Sequence, residues 1–147
     1  MSTFASLHYH FVFSTKLRAP AIADSWKNRL HAYIAGTTKN LGGKAVTVGG
    51  INDHVHILVD LPTDQRISDF MRDLKSAATR WVHEEIGNKG FSWQEGYAVF
   101  AVSANHCGYV RNYILKQAEH HTERGFREEL VHLLESSNVQ FDPRYLD

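Results

Sequence analysis

The stretch that decides the fold is His54-Val55-His56-Ile57-Leu58-Val59-Asp60-Leu61, which Pro62 follows. Its β-branched and apolar residues predict a strand over residues 54–61. Successive strand side chains point to opposite faces, so the stretch divides into two alternating sets. One face carries Val55, Ile57, Val59 and Leu61, and the other carries His54, His56, Leu58 and Asp60. The apolar face must pack against helices, and the opposite one, here called the histidine face, brings two imidazoles side by side.

The segments before this strand predict a hairpin and a helix. Residues 44–48 form a short strand, and the glycine-containing residues 49–53 supply the turn of an antiparallel hairpin. An earlier strand is expected over residues 7–13, which are aromatic and β-branched. Between the two strands, apolar residues at helical spacing predict a helix over residues 24–40, with Asp24 as its N-cap.

The segments after it complete an α+β pattern. An apolar stripe at i, i+3, i+4 and i+7 predicts a helix over residues 67–86, and a strand is expected over residues 97–103. Helices over about residues 105–121 and 123–134 follow. The order β-α-β-β-α-β predicts one ferredoxin-like (RRM-like) domain over residues 1–147, with an antiparallel sheet and both helices on one face. The histidine face is expected to stay open for a ligand or partner.

Composition excludes several classes of protein. With 43% apolar and 22% charged residues, the 147-residue chain is typical of a globular domain, not of a disordered or fibrous protein. No apolar run approaches the length of about 18 residues that a membrane span needs, and no secretory leader is recognisable, so we expect a cytoplasmic protein. The lone Cys107 indicates neither disulfides nor a cysteine-rich zinc module.

The charge is uneven along the chain, although the net charge is zero. Residues 1–50 contain six basic side chains and one acidic side chain, a balance of +5, and the remainder carries −5. A polyanion would therefore be attracted to one side of the molecule, although a solvated basic face has the same pattern.

Two candidate groups carry chemistry. On the predicted strand, His54 and His56 lie about 7 Å apart, close enough to bind one cation, although such pairs are often ordinary surface or core histidines. Strand one offers a rival pair, His8 and His10. On the predicted helix over residues 105–121, four polar side chains recur at i+4 and share one face. They are Tyr109, Tyr113, Gln117 and His121.

Together these groups match the needs of phosphoryl transfer. A divalent cation held by His54, His56 and Gln117 would bind a phosphate oxygen and neutralise the charge of the transition state. A tyrosine oxygen would then attack phosphorus and become covalently attached. The alternative for the helix alone is a polar stripe with aromatic packing.

Four segments carry a family resemblance that extends over nearly the whole chain. They are YHFVFSTK at residues 9–16, NDHVHILV at 52–59, WQEGY at 93–97 and VRNYILKQAEHH at 110–121. In this order the sequence resembles the single-tyrosine HUH transposases of the smallest bacterial insertion sequences, where HUH denotes His-hydrophobic-His. It also resembles the transposase-like proteins associated with repetitive extragenic palindromes (REP).

The resemblance implies roles for individual residues. His54 and His56 would be the metal pair, Gln117 the third ligand and Tyr113 the nucleophile, with Mg²⁺ or Mn²⁺ as cofactor. The substrate would be single-stranded DNA with hairpins near the element ends, cut to a 5′-phosphotyrosine and a free 3′-OH. The family forms homodimers in which the tyrosine helix can serve the partner's histidines. Lys116 departs from the family's pattern, which often has Asn before the ligand Gln.

The sequence leaves the roles of Tyr109 and of several basic residues open. Tyr109 and Tyr113 together match the two-tyrosine HUH nucleases, so Tyr109 is the alternative nucleophile, or else a packing or substrate contact. Arg72 and Lys75 are candidates for phosphate contacts but are also spaced to pair with Asp69 or Asp73. The full set of candidate DNA contacts is Lys16, Arg18, Arg72, Lys75, Arg80 and His10.

Two other functions compete with the enzyme. One is a non-catalytic module that binds single-stranded nucleic acid on the sheet, which includes a host-retained REP-associated protein. The other is a dimeric regulatory protein that kept the fold and lost the activity. The three differ in their use of the metal group and Tyr113, because a binding module needs neither.

Overall fold

The computed structural model describes residues 1–117 and 125–146. These residues form four strands: β1 His8–Ser14, β2 Lys44–Gly50, β3 His54–Asp60 and β4 Ala98–Val102. The main helices are α1 Asp24–Asn40, α2 Ile67–Trp81, α3 Cys107–Leu115 and α4 Phe126–Ser136. The chain order is β1-α1-β2-β3-α2-β4, as predicted, followed by α3 and α4.

All neighbouring strands of the sheet are antiparallel, in the spatial order β2-β3-β1-β4. The two central strands are therefore β1 and β3, and their register sets Val12 opposite His56 and Ser14 opposite His54. This confirms the predicted α+β, ferredoxin-like fold. It also brings the end of β1 next to the start of β3, where the candidate histidines lie.

The apolar face of β3 packs against α1 and α2. Val55, Ile57 and Val59 are completely buried there, in a core that includes Leu30 of α1 and Leu74 of α2. Burying a side chain of this size contributes about 1.5–3 kcal/mol, so this layer stabilises the fold substantially. The predicted division of the strand into two faces is confirmed.

The histidine face is covered, and the expectation that it would be open is wrong. Leu58 of β3 packs with Val110 and Ile114 of α3. Further along the sheet, Val12 of β1 packs with Phe126 of α4. The physical reason is that this face carries apolar side chains of its own, and helices that follow the βαββαβ unit bury them.

Gly49 lets α3 approach the sheet closely. A Cβ atom at this position would lie 2.6 Å from the backbone oxygen of Ile114, which is far inside normal contact distance. The absence of a side chain at Gly49 therefore sets the separation between β2 and the helix that carries Tyr113.

Most element boundaries agree with the predictions, with local differences. Helix α1 spans the predicted residues, but Ala23 is its N-cap, and Asp24 lies in the first turn beside Lys27. Helix α2 passes into a π-helical turn over Val82–Ile86, which ends at Gly87 in a left-handed conformation. Of the predicted helices over residues 105–121 and 123–134, the positions 118–124 lie outside the described residues. No helix within the described ranges is long and apolar enough to cross a bilayer.

Candidate active site

The two histidines of β3 lie between the sheet and the helices that cover it. Both side chains are fully buried, and their ring centroids are 5.0 Å apart. Each Nε2 atom faces Glu129 of α4, whose Oε1 atom lies 2.9 Å from Nε2 of His56 and 3.3 Å from Nε2 of His54. Because His54 and His56 are two residues apart on β3, both imidazoles point to the same face of the sheet, where they contact one carboxylate.

Glu129 is a site residue that the sequence analysis missed. Its side chain is completely buried, and one ligand atom from each of His54, His56 and Glu129 lies within 4.8 Å of the others. A signal was present in the sequence, because Glu129 occupies the apolar face of α4, three residues after the buried Phe126. An acidic residue on such a face needs a partner, unlike the exposed Glu128 beside it.

Tyr113 and Gln117 reach the same carboxylate from α3 and the residues after it. The Tyr113 hydroxyl donates to Oε2 of Glu129 over 2.5 Å, and the Gln117 amide nitrogen donates to the same oxygen over 3.1 Å. The Gln117 Oε1 atom lies 3.0 Å from Nε2 of His54. The predicted phenol, amide and imidazoles therefore meet in one cluster, whereas Lys116 is exposed. His121 lies outside the described residues.

Each imidazole is oriented by a contact to its other nitrogen. Nδ1 of His54 donates to Oδ1 of Asp53 over 2.7 Å, and Nδ1 of His56 lies 2.8 Å from Nε2 of His10. Nε2 of His56 donates to the Glu129 carboxylate, because an ionised carboxylate only accepts. His10 is 4% exposed and supports His56, and its predicted contact with DNA stays a prediction.

The surroundings shift the pKa values of His10 and His54 in opposite directions. Burial, with a further contribution from the neighbouring His56, lowers the pKa of His10 to about 3, although Glu129 opposes this. Burial also acts to lower the pKa of His54, but its hydrogen bonds to Asp53, Glu129 and Gln117 outweigh that effect and raise the pKa to about 9. At neutral pH, His10 is therefore neutral, and His54 without a bound cation is an imidazolium paired with carboxylates. A cation held at Nε2 of His54 would replace the proton there.

The donor set suits a divalent cation. Two imidazole nitrogens, a carboxylate oxygen and an amide oxygen converge on one buried point, and these are ligand types that Mn²⁺ and similar ions accept. The Asp53 and His10 contacts hold the imidazole rings in place, as supporting residues do in metal sites. The residues present therefore fit a metal centre.

Tyr109 lies one turn before Tyr113 and outside the cluster. It is 68% exposed, and its ring stacks on His106 at a centroid distance of 5.0 Å. Both tyrosines border a cavity of about 260 Å³ between α3 and α4, which His10 and His132 also line. The cavity leads from the surface to the Tyr113 side of the cluster.

The predicted basic residues have different environments. Arg72 pairs with Asp69 at 3.3 Å and with Asp73 at 3.0 Å, which is the structural alternative considered for it. The Lys75 amine donates to the backbone oxygens of Gln94 and Gly96, both over 2.8 Å, and burial lowers its pKa. Of the predicted basic residues, Lys16, Arg72 and Arg80 are exposed, and Arg18 and Lys75 are partly exposed.

Two proteins named as transposases are similar to this chain in sequence. The ISDra2 transposase TnpA of Deinococcus radiodurans is 26% identical over 117 residues, which cover 76% of this chain and 84% of that protein. The transposase for insertion sequence element IS200 of Salmonella typhimurium is also 26% identical over 117 residues, covering 76% of each chain.

Solved structures share the fold. A protein assigned as a transposase from D. radiodurans R1 superposes with a TM-score of 0.66, at 24% identity, over 78% of this chain and 92% of that one. A REP-associated tyrosine transposase bound to a REP hairpin superposes with a TM-score of 0.62, at 18% identity, over 82% of this chain and 74% of that one.

The family assignment rests on most of the chain. The sequence profile described as "Transposase IS200 like" matches residues 3–117, which include His54, His56, Tyr113 and Gln117. Glu129 lies beyond the matched region. The chain therefore belongs to the IS200-like family of DNA transposases.

Proposed function

We propose that this protein cuts and rejoins single-stranded DNA through a covalent 5′-phosphotyrosine on Tyr113, with Mg²⁺ or Mn²⁺ as cofactor. The observation that carries the proposal is the meeting of the nucleophile and the histidine pair at Glu129, whose two oxygens contact the phenol and the imidazoles separately. A nucleic-acid-binding module would have no use for this arrangement.

His54, His56, Gln117 and Glu129 would hold the cation. Bound there, it supplies Lewis-acid stabilisation of the negative charge that develops on the phosphate. The chain's own contribution is orientation: the Asp53 and His10 contacts fix the rings, and burial keeps water out of the cluster. Gln117 contacts both His54 and Glu129 and so ties the metal ligands to the helix of the nucleophile.

In the chemical step, the Tyr113 oxygen forms a bond to phosphorus as the bond from phosphorus to the 3′ oxygen breaks. The hydrogen bond to Oε2 of Glu129 directs the phenolic proton toward that carboxylate. The departing 3′ oxygen takes up a proton and leaves as a 3′-OH. Because the phosphotyrosine is still a diester, a second 3′-OH can displace the tyrosine and rejoin a strand without a high-energy cofactor.

We propose DNA hairpins near element ends as the substrate. A structural neighbour is bound to a REP hairpin, and the first third of this chain is basic. The cavity between α3 and α4 supplies a route for an unpaired strand to Tyr113, with Tyr109 as a substrate contact. Lys16, Arg18, Arg72 and Arg80 are the proposed phosphate contacts, because their side chains reach the solvent. The Lys75 amine contacts backbone oxygens of Gln94 and Gly96 instead.

We infer that Tyr113 acts in cis, on phosphate bound at the histidines of its own chain. The support is that the hydroxyl and the histidine pair contact the same carboxylate within one chain. The homodimer implied by the resemblance remains a prediction.

The test is adduct formation. The protein is incubated with Mg²⁺ or Mn²⁺ and labelled single-stranded oligonucleotides from the flanks of its own locus, and covalent complexes are separated under denaturing conditions. We expect an adduct with the wild type and with Tyr109→Phe, and none with Tyr113→Phe. An adduct that survives in Tyr113→Phe would identify Tyr109 as the nucleophile, and binding without any adduct would favour the non-catalytic alternative.

A further inference from the structure

The loop after β1 holds two consecutive residues in a conformation that side chains rarely adopt. Leu17 has φ 56° and Arg18 has φ 53°, both in the left-handed region where glycine and asparagine are the usual occupants. A strained backbone persists only where the surrounding structure enforces it, and such residues cluster at functional sites.

Hydrogen bonds on both sides enforce this conformation. The Leu17 amide donates to the side-chain oxygen of Gln94 over 3.0 Å, and the Arg18 amide donates to the Thr15 backbone oxygen over 2.9 Å. The buried hydroxyl of Thr15 donates to the Ala19 backbone oxygen over 2.7 Å. The loop is thus rigid, yet the side chain of Leu17 is 78% exposed and gains little from packing. Folding energy alone does not explain a strained, outward-facing leucine.

The loop is joined directly to the candidate active site. The Thr15 amide and hydroxyl both contact the Asp53 backbone oxygen, at 2.9 and 3.1 Å, and the Asp53 side chain holds His54. Lys16 precedes Leu17 and is exposed, in the part of the chain with a charge balance of +5. An exposed apolar side chain on a hydrogen-bonded loop therefore lies beside a cation, near the end of β1 that adjoins the histidines.

We propose that Leu17 is a DNA-binding residue that inserts as an apolar wedge against an exposed base of the substrate, at an unpaired position or at the open end of a hairpin. This deepens the proposed function and rests on it. Rigid apolar wedges in DNA-binding proteins pack on base faces, which present apolar area whatever the sequence, while neighbouring cations contact phosphates. The hydrogen bonds hold the backbone of Leu17 in place before DNA arrives, so the loop needs no ordering on binding.

Two substitutions remove the wedge and keep the backbone. Leu17→Asn and Leu17→Gly both tolerate a positive φ, and Leu17→Gly also relieves the strain, so neither should unfold the loop. With a hairpin oligonucleotide carrying a single-stranded flank, we expect each variant to bind about tenfold more weakly than the wild type. The slope of log affinity against log salt concentration should stay unchanged in both Leu17 variants. Lys16→Ala should reduce this slope by the amount that corresponds to about one phosphate contact. Fluorescence anisotropy across a salt series measures both.

Phe4→Asn is the matched control. Phe4 is 84% exposed and precedes the start of β1, whereas Leu17 follows its end. We expect this variant to bind like the wild type, and thermal melting should find Leu17→Gly at least as stable as the wild type. Wild-type affinity in both Leu17 variants would overturn the wedge, as would a wild type that does not bind the hairpin. A wild type that binds but forms no adduct contradicts the proposed function and still leaves the effect of Leu17 measurable.

Discussion

Glu129 shows, at the scale of one residue, why the candidate site could be predicted only in part. The spacing of His54 and His56 and of Tyr113 and Gln117 can be recognised in the sequence because each pair lies within one predicted element. Glu129 is 73 residues from His56, and no local pattern connects the two. The place of Glu129 on the apolar face of α4 indicates that it needs a partner, but only tertiary packing shows that the partner is the histidine pair.

Replacing Glu129 tests its proposed role as a ligand. Glu129→Gln keeps the shape of the side chain and removes the anionic oxygen, so we expect Mn²⁺ affinity to fall at least about tenfold. The yield of adduct should fall with it. Isothermal titration calorimetry with Mn²⁺ measures the affinity, and Glu128→Gln, an exposed change on the same helix, is the control. Equal affinities in the two variants would contradict the assignment.

His31 supplies a prediction for pH dependence away from the active site. Burial, with a smaller effect of Lys27, lowers its pKa from 6.5 to about 4, and its Nε2 atom has no hydrogen-bond partner among the described residues. Between pH 4 and pH 6.5 the imidazole is therefore protonated in the unfolded chain and neutral in the folded one. The contribution of His31 to the free energy of unfolding is fully present above about pH 6.5 and is lost as the pH falls toward 4. We expect the titration of His31 to lower the free energy of unfolding by about 1–2 kcal/mol when the pH falls from 7 to 5.

Urea unfolding of the wild type and His31→Leu at both pH values isolates this contribution, because other titrating groups are common to the two proteins. The variant should lose less stability on acidification. Parallel losses in both proteins would show that His31 is not the group responsible.

At the scale of elements, periodicity predicted the sheet and its two packing helices, but not how its second face is used. Alternation along β3 assigns every side chain to a face. It does not say whether later helices return to cover the histidines, because that depends on apolar contacts distant in sequence, such as those between Val12 and Phe126. The same limit applies to Gly49. Its local sequence predicts a turn, whereas in the structure it lies in β2 and α3 packs directly against it.

Gly49→Ala should therefore disturb the helix that carries the nucleophile. The new methyl group would meet the backbone of Ile114, so α3 must move, and Tyr113 with it. We expect a loss of about 1–3 kcal/mol in the free energy of unfolding and a clear reduction in adduct yield under conditions where the variant is folded. Gly36→Ala is the matched control, because nothing lies within 4 Å of its Cβ position in α1, and it should stabilise the protein slightly. A Gly49→Ala variant with normal stability and yield would refute the close packing.

At the scale of the whole molecule, one chain supplies every member of the cluster. His10 comes from β1, the histidine pair from β3, Tyr113 and Gln117 from α3 and the residues after it, and Glu129 from α4. The predicted organisation as one domain over residues 1–147 agrees with this shared cluster but remains a prediction, as does the homodimer.

Mixing two inactive variants distinguishes cis from trans action. Tyr113→Phe removes the proposed nucleophile, and His56→Ala removes a proposed metal ligand. If each chain uses its own tyrosine, the mixture should form no more adduct than either variant alone. Wild type diluted with each variant is the control for inhibition by inactive chains. Adduct recovered on mixing, after the two variants are unfolded and refolded together, would establish action in trans.

The sequence distance between the histidine pair and its carboxylate also sets an order of events during synthesis. A ribosome that adds about 5–20 residues per second needs about 4–15 s to extend the chain across the 73 residues from His56 to Glu129. Throughout that interval the growing polypeptide carries both imidazoles without their acidic partner. The complete cluster is therefore formed late in translation, after the α1 and α2 layer has been made, and a prematurely terminated product that ends before Glu129 would lack one member of it.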